Sequence, residues 1–260
     1  MQWSVLGASA AAICVLMFSM WLVSVKLKDA SIVDIIWGFG FVLVAWVSRA
    51  VADGNRARQN LLVVCATLWG LRLAGYLFWR NHGKGEDFRY RAMRKKFGER
   101  FPIVSLYSVF GLQGLLMFVV SLPLQLGQMP PTRAFGVAAF VGAAAWAVGL
   151  AFETIGDLQL ARFKADPTNA GKVMDRGLWA WTRHPNYFGD ACVWIGLTLI
   201  AMDAGGVALA SIVGGVAMTV LLVRVSGVPM LEKTIGRRRP GYAEYIQRTS
   251  SFIPRPPKKG

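Results

Sequence analysis

GLWAWTRHPNYFGD, from Gly177 to Asp190, runs directly into the apolar stretch ACVWIGLTLIAM, from Ala191 to Met202. Charged and hydrogen-bonding side chains therefore stand at the entrance of a segment apolar enough for a membrane helix. Polar groups in lipid are costly unless they have partners, a ligand or water. This juxtaposition predicts a membrane helix whose first turns bind a ligand.

The composition extends the membrane prediction to the whole chain. Of its 260 residues, 55% are hydrophobic and only 17% are charged, whereas a soluble domain averages about 25% charged. The net charge of +15 does not indicate nucleic-acid binding, because the basic residues lie in loops between apolar runs. The three cysteines form no CxxC pair or metal-ligand spacing, so no metal site is expected.

Seven apolar runs approach the length of about 20 residues that a membrane-spanning helix needs. They cover roughly 4–25, 31–51, 60–80, 105–125, 133–156, 186–203 and 206–228. The sequence therefore predicts an all-α integral membrane protein, a bundle of about seven transmembrane helices in a single membrane domain. A basic tail follows at 229–260.

Lys and Arg concentrate in alternate connections between these runs. Most of the 29 basic residues fall at 26–28, 80–100, 162–183 and 233–259. Because cytoplasmic loops carry the excess of positive charge, we expect the N-terminus outside and the C-terminus in the cytoplasm. The basic tail is then expected to lie near anionic membrane lipid.

A row of polar side chains follows the third apolar run. Arg72, Tyr76 and Arg80 are spaced four residues apart and share one helix face. One interpretation is an ion pair of Arg72 with Asp34 or Glu153, and the other is a cationic stripe toward an anionic ligand.

Asp34, near the start of the second run, has two interpretations. It is either a cap or salt bridge at the interface, or a cavity carboxylate that binds substrate or orients a cation. Aromatic residues such as Trp37 and Trp69 are consistent with interfacial anchors and with the walls of a hydrophobic slot among the first four helices.

Two carboxylates, Glu153 and Asp157, lie four residues apart at the inner end of the fifth run. They repel each other unless cations or hydroxyls lie between them, so they are either paired surface charges or acceptors for ribose hydroxyls or a nicotinamide amide. The opening stretch adds Arg183, His184, Asn186, Tyr187 and Asp190. Since Pro185 suits the first turn of a helix, these side chains offer partners for an amide, a ribose and a phosphate.

The tail contributes two further features. Arg237, Arg238 and Arg239 are typical of a solvated patch near lipid headgroups. Tyr242 and Tyr245, three residues apart, are positioned to close over an adenine or a ribose.

Together these stretches resemble the steroid 5α-reductase C-terminal family, and more closely its bacterial branch of unknown function, DUF1295. This resemblance implies a location in a bacterial inner membrane. The resemblance rests on Gly177–Asp190, on Glu153, Asp157 and Lys164, on Glu232, Tyr242 and Tyr245, on Asp34 with Trp37 and Gly38, and on Leu68–Arg72. The Arg-His-Pro-x-Tyr piece is also shared with isoprenylcysteine carboxyl methyltransferases, which use S-adenosylmethionine.

The resemblance to the reductases implies a seven-helix bundle that binds NADPH on its cytoplasmic side. Hydride then passes to an activated carbon–carbon double bond of a lipid-like enone. By this resemblance Asn186 and Asp190 match the cofactor-amide region, and Asp157 matches a carboxylate of the fifth span. Arg72 and Tyr76 match an arginine and a tyrosine that line the cofactor. The resemblance also makes three basic residues candidates for binding the 2′-phosphate: Lys164, Lys172 and Arg176. We expect the cofactor site also to include Arg80, Glu153, Arg183, His184, Tyr187, Tyr242 and Tyr245.

The chain departs from the reductase pattern where the substrate carbonyl is polarised. Trp69 stands at the position of the family's tyrosine, and the second run has no Gln-Glu pair. Asp34 or Tyr76 is then the expected acid, with Trp37 and Trp69 toward a hydrophobic substrate. Two other functions remain open, an S-adenosylmethionine-dependent methyltransferase and a lipid-binding or scaffold protein without enzymatic activity.

Overall fold

The computed structural model describes residues 2–132, 134–225, 227, 232 and 239–257. Within these ranges the chain is helical and has no β-strand, apart from an isolated parallel bridge between Thr182 and Ser250. This confirms the predicted all-α membrane protein.

The helices follow one another with short connections. They are α1 (Gln2–Leu27), α2 (Ile32–Val51), α3 (Arg56–Asn81), α4 (Phe88–Phe97), α5 (Phe101–Ser105), α6 (Leu112–Val120), α7 (Leu122–Leu126), α8 (Val137–Ala165), α9 (Leu178–Trp181), α10 (Pro185–Met202), α11 (Ile212–Val220) and α12 (Tyr242–Arg248). Single 3-10 turns occur at Gly98–Arg100, Pro167–Asn169 and Gly206–Ser211, and π-helical turns at Leu106–Gly111 and Leu221–Val225.

Six helical segments of the described chain are long and apolar enough to cross a membrane. They are Trp3–Leu27, Ile32–Val51, Arg56–Asn81, Phe88–Val120, Val137–Ala165 and Gly206–Val225. The remaining predicted span, 186–203, is helical as α10, but its first two turns carry Asn186 and Asp190 and make it less apolar than the others.

Several helix ends differ from the sequence prediction. The fourth span begins at Phe88, seventeen residues before the predicted start at 105. Helix α8 continues to Ala165, nine residues beyond the predicted end at 156, because Gln159, Arg162 and Lys164 prolong the helix past the apolar run. The fourth span ends at Val120, before Pro123. Proline cannot donate the backbone hydrogen bond that continues a helix, so a new helix begins there.

The chain divides into two compact units, residues 1–136 with 200–214, and residues 137–199 with 215–260. In the first unit α2 crosses α3 at Gly38 and Gly70. A Cβ atom on Gly38 would lie 2.6 Å from the carbonyl oxygen of Gly70, so only glycine permits this approach. Such small residues let membrane helices pack closely. Phe41 and Trp69 fill the interface beside the crossing, with ring centroids 5.7 Å apart.

A buried ion pair fixes the other end of α3. Arg58 is 1% exposed and its Nη2 lies 2.8 Å from Oδ2 of Asp203. Arg58 also donates to the carbonyl of Thr132, and the amide of Gly136 donates to Asp203. The pair therefore ties the 132–136 connection and the 203 turn to α3.

In the second unit a glycine seam joins α8 to α10. Gly142 and Gly149 of α8 face Gly196 and Gly189 of α10, a seven-residue spacing in both helices. A Cβ on Gly149 would lie 2.5 Å from the carbonyl oxygen of Gly189, and one on Gly196 would lie 2.5 Å from that of Gly142. The seam fixes the register in which the polar residues of the two helices meet.

Candidate functional site

A cluster of four polar side chains lies along the glycine seam, and we name it the α8–α10 cluster: Glu153, Asp157, Asn186 and Asp190. The three carboxylates are 3%, 4% and 8% exposed in chain order, and Asn186 is half-buried. Nδ2 of Asn186 donates to Oδ1 of Asp157 at 3.4 Å. The structure thus brings together two pairs of residues that are about 30 positions apart in the chain.

Local backbone constraints explain this meeting. A Cβ on Gly156 would contact Pro185 at 3.2 Å, and one on Gly189 would lie 2.6 Å from the amide nitrogen of Glu153. Pro185 begins α10, where its missing amide hydrogen is not needed. Because the backbones approach this closely at both points, Asp157 and Asn186 are held side by side.

Arg183 and His184 join the stretch before α10 to the tail. Nε of Arg183 donates to Oε1 of Glu232 at 2.8 Å, and its Nη1 donates to the carbonyl of Thr249 at 2.8 Å. Nε2 of His184 lies 3.0 Å from the same Glu232 oxygen. The guanidinium predicted to bind phosphate is thus engaged by a carboxylate and by the C-terminal end of α12.

The chemistry of Glu232 reflects these contacts. The hydrogen bond from His184 lowers the pKa of the Glu232 carboxyl to about 2; partial burial opposes the shift, and the hydrogen bond from Arg183 adds to it. Since the carboxyl is more acidic here than in the unfolded chain, this contact stabilises the fold above pH about 4.5 and loses that contribution as the pH falls toward 2.

The two tail tyrosines are buried by the same packing. Tyr242 is 4% and Tyr245 2% exposed, and the Tyr245 hydroxyl donates to the carbonyl of Trp179 at 2.5 Å. Their expected closure over adenine or ribose stays a prediction, and it requires the tail to move. Tyr187 is half-buried, and its ring stacks on that of His184 with the ring centroids 5.6 Å apart. Arg237 and Arg238 lie outside the described residues.

Exposed cations lie at and beyond the C-terminal end of α8. Lys164, Lys172 and Arg176 are all exposed. Arg239 of the tail donates to the carbonyl of Lys172, and Arg248 pairs with Asp175. The 164–176 segment therefore combines accessible positive charge with contacts to the tail.

The first unit holds a separate polar cluster around Asp34, which we name the Asp34 cluster: Asp34, Arg89, Tyr90 and Gln113. Oδ2 of Asp34 accepts from Arg89 at 2.7 Å, and its Oδ1 accepts from the Tyr90 hydroxyl at 2.9 Å. Gln113 donates to the Tyr90 oxygen at 3.2 Å. The salt-bridge interpretation of Asp34 therefore describes its contact with Arg89.

The sequence does not predict that Tyr90 and Gln113 join Asp34 in one cluster. Tyr90 is 6% exposed and lies 56 positions from Asp34. The available signals were Gln113 as an isolated amide within an apolar run, and a tyrosine beside an arginine at the start of that span.

The stripe on α3 has the predicted geometry. The guanidinium carbons of Arg72 and Arg80 lie 5.5 and 5.8 Å from the centre of the Tyr76 ring. Trp69 is completely buried in the α2–α3 core, and Trp37 is half-buried against Phe41 with ring centroids 5.4 Å apart. A substrate surface at Trp37 is thus more accessible than one at Trp69.

Comparison with known proteins identifies the family to which the chain belongs. The family described as "Protein of unknown function (DUF1295)" matches residues 20–249. The "Uncharacterized protein C594.04c" of Schizosaccharomyces pombe (strain 972 / ATCC 24843) is 25% identical over 267 residues, which cover 91% of this chain and 76% of the relative. No solved structure matches the chain. With the family match extending over most of its length, the chain belongs to the DUF1295 family.

Proposed function

We propose that this protein is an NADPH-dependent membrane reductase that reduces an activated carbon–carbon double bond of a hydrophobic enone. The observation that carries the proposal is the α8–α10 cluster. Three carboxylates and an amide packed between two helices of a membrane protein are expensive to maintain, and their chemistry suits a polar ligand.

The donor and acceptor set fits the cofactor that the resemblance implies. Asn186, Asp157 and Asp190 are suited to a carboxamide and to ribose hydroxyls. Lys164, Lys172 and Arg176 supply exposed positive charge for phosphates. Because Arg183 already binds Glu232 and the carbonyl of Thr249, we assign it the positioning of the tail instead of a phosphate contact.

When bound, NADPH supplies the hydride. The residues of this chain bind and orient the nicotinamide end through the α8–α10 cluster and hold the phosphates at the basic segment. We assign the protonation of the reduced substrate to Tyr76, which stands between Arg72 and Arg80 on one face of α3.

A methyltransferase that uses S-adenosylmethionine is the second candidate. The specific observation in its favour is the arrangement of Arg183 and His184 on one oxygen of Glu232, within the motif shared with the carboxyl methyltransferases. The exposed cations of the 164–176 segment favour the dinucleotide, since its phosphates carry more negative charge than S-adenosylmethionine.

Ligand-induced thermal stabilisation separates these candidates. Purified protein in detergent is heated with NADPH, NADH or S-adenosylmethionine. A ligand at about 100 times its Kd adds about 2.7 kcal/mol, which raises the melting temperature of a chain of this size by roughly 5–10 °C. We expect NADPH to produce this shift.

A shift with S-adenosylmethionine alone would replace the reductase with methyl transfer. A folded protein that responds to none of the three ligands would instead favour a lipid-binding or scaffold role.

A further inference from the structure

An apolar groove runs between α1 and the fourth membrane span within the first unit. It encloses about 530 Å³. Its walls come from α1 and from the segment around the π-helical turn, and include Ile13, Cys14, Met17, Phe110, Gly114 and Phe118. The lining contains no charged side chain, so the groove suits an uncharged hydrocarbon.

The groove is elongated along the helices. Its lining residues on the fourth span begin at Leu106 and end at Phe118, with members at each turn between them. Twelve residues of helix correspond to about 18 Å, close to the roughly 15 Å that one leaflet contributes to the hydrocarbon core. This shape fits one extended chain better than a compact ring system.

Glycine keeps the groove open. Gly111 is the exposed last residue of the π-helical turn, and Gly114 forms part of the floor, where a Cβ would lie 3.2 Å from Met17. A π-helical turn is frequently found at functional sites. Exposed Cys14 lies in the wall on the α1 side.

Positive charge lies beyond one end of the groove. Leu106 is six residues after Arg100, about 9 Å along the helix axis. Lys95, Lys96 and Arg100 are exposed, whereas the neighbouring Arg94 is paired with Glu86. One exposed carboxylate, Glu99, opposes them. At this end Trp21 donates to the carbonyl of Pro102, as expected for an interfacial tryptophan.

We propose that the groove binds an anionic phospholipid of the membrane, with one acyl chain between α1 and the fourth span. Its phosphate lies at Lys95, Lys96 and Arg100. The uncharged lining selects the chain and the exposed cations select the headgroup. This site is independent of the reductase proposal, because it uses no residue of the α8–α10 cluster or the Asp34 cluster.

The test compares phosphatidylglycerol with one lipid that differs in headgroup charge and with one compound that lacks the acyl chains. Melting temperatures are measured in detergent with dioleoyl phosphatidylglycerol, with dioleoyl phosphatidylcholine and with glycerophosphoglycerol, which lacks the chains. We expect phosphatidylglycerol to raise the melting temperature by about 5 °C, and phosphatidylcholine and the chain-free headgroup to raise it by less than half as much.

Paired variants locate the effect. Ala10→Trp fills the groove, whereas Ala11→Trp places the same ring on an exposed face of α1. Arg100→Glu reverses the charge at the headgroup position. Arg56→Glu reverses an exposed charge at the first residue of α3. The first variant of each pair is expected to abolish the phosphatidylglycerol shift, and the second to preserve it.

Chemical modification of the folded protein fills the groove without a substitution that could prevent folding. N-phenylmaleimide applied to the purified protein is expected to modify exposed Cys14 ahead of buried Cys65 and half-buried Cys192, and thereby to block the shift. Equal stabilisation by both phospholipids would overturn the proposal, as would a shift that survives Ala10→Trp and Cys14 modification. Efficient Cys14–Cys14 cross-linking would also overturn it, by showing that a second copy covers the groove.

Discussion

Gly149→Leu is expected to lower the melting temperature in detergent by 10 °C or more, or to prevent the protein from folding. Even a Cβ at this position would lie 2.5 Å from the carbonyl oxygen of Gly189 and 2.6 Å from the amide nitrogen of Val193. These are backbone atoms of α10 that no rotamer change can move aside. Overpacking of a well-packed core costs about 1–3 kcal/mol, and parting two helices costs more.

The magnitude follows from the size of the chain. About 3 kcal/mol corresponds to roughly 6–12 °C for a protein of 150–250 residues, and the leucine is expected at or above the top of this range. Gly149→Ala carries the same Cβ without further atoms, so it is expected to fall between leucine and the native glycine.

Gly7→Leu is the matched control. A Cβ on Gly7 meets nothing within 4 Å, and the residue is exposed on α1. Because leucine favours a helix more than glycine does by up to about 1 kcal/mol, this variant is expected to be as stable as the native protein or slightly more so. Equal melting temperatures for Gly149→Leu and Gly7→Leu would refute the glycine seam.

The second large effect concerns Tyr76. Tyr76→Phe removes the hydroxyl and keeps the ring, whose centre lies 5.5 and 5.8 Å from the guanidinium carbons of Arg72 and Arg80. Loss of a positioned proton donor typically reduces the rate about 10²–10⁴-fold. We expect that loss in kcat for Tyr76→Phe, with NADPH affinity within about twofold of the native value.

The measurement uses an enone identified by screening the native enzyme for NADPH oxidation. Tyr107→Phe is the control, since it removes the same hydroxyl group from a residue that is 71% exposed. A role in stability alone would instead lower the melting temperature and the NADPH affinity together. Native kcat in a folded Tyr76→Phe enzyme would remove Tyr76 from the mechanism.

The sequence was most informative where each residue pattern has one structural solution. Apolar runs of about 20 residues can be buried in lipid only as helices or closed barrels, which is why six of the predicted spans were recovered as membrane-length helices. The four-residue spacing of Arg72, Tyr76 and Arg80 likewise determined their shared face. Both are local properties of a helix.

Contacts between distant segments were beyond this kind of reasoning. The pairing of Asp34 with Tyr90 depends on how α4 packs against α2, and no spacing along the chain encodes it. Arg183 was assigned to phosphate from its charge, but its position beside Glu232 depends on the path of the tail. The polar character of a site was therefore predictable, and the partner of each charge was not.

The glycine spacing is an intermediate case. Gly142, Gly149 and Gly156 repeat every seven residues, and Gly189 and Gly196 do the same. The pattern is visible in the sequence, yet glycines are common in membrane helices. Only the structure shows that the two rows face each other, and that this contact places Asn186 beside Asp157.

The central claim is that the α8–α10 cluster holds NADPH, and the equilibrium Kd for NADPH tests it most directly. Native protein is compared with Asp157→Asn and with Asp53→Asn, a control at an exposed aspartate of the first unit. Loss of a hydrogen bond to a charged group costs about 1.5–3 kcal/mol. We therefore predict saturable binding by native protein and by Asp53→Asn, and binding at least about tenfold weaker by Asp157→Asn. Folded native protein without saturable NADPH binding, or unchanged affinity in Asp157→Asn, would contradict the account.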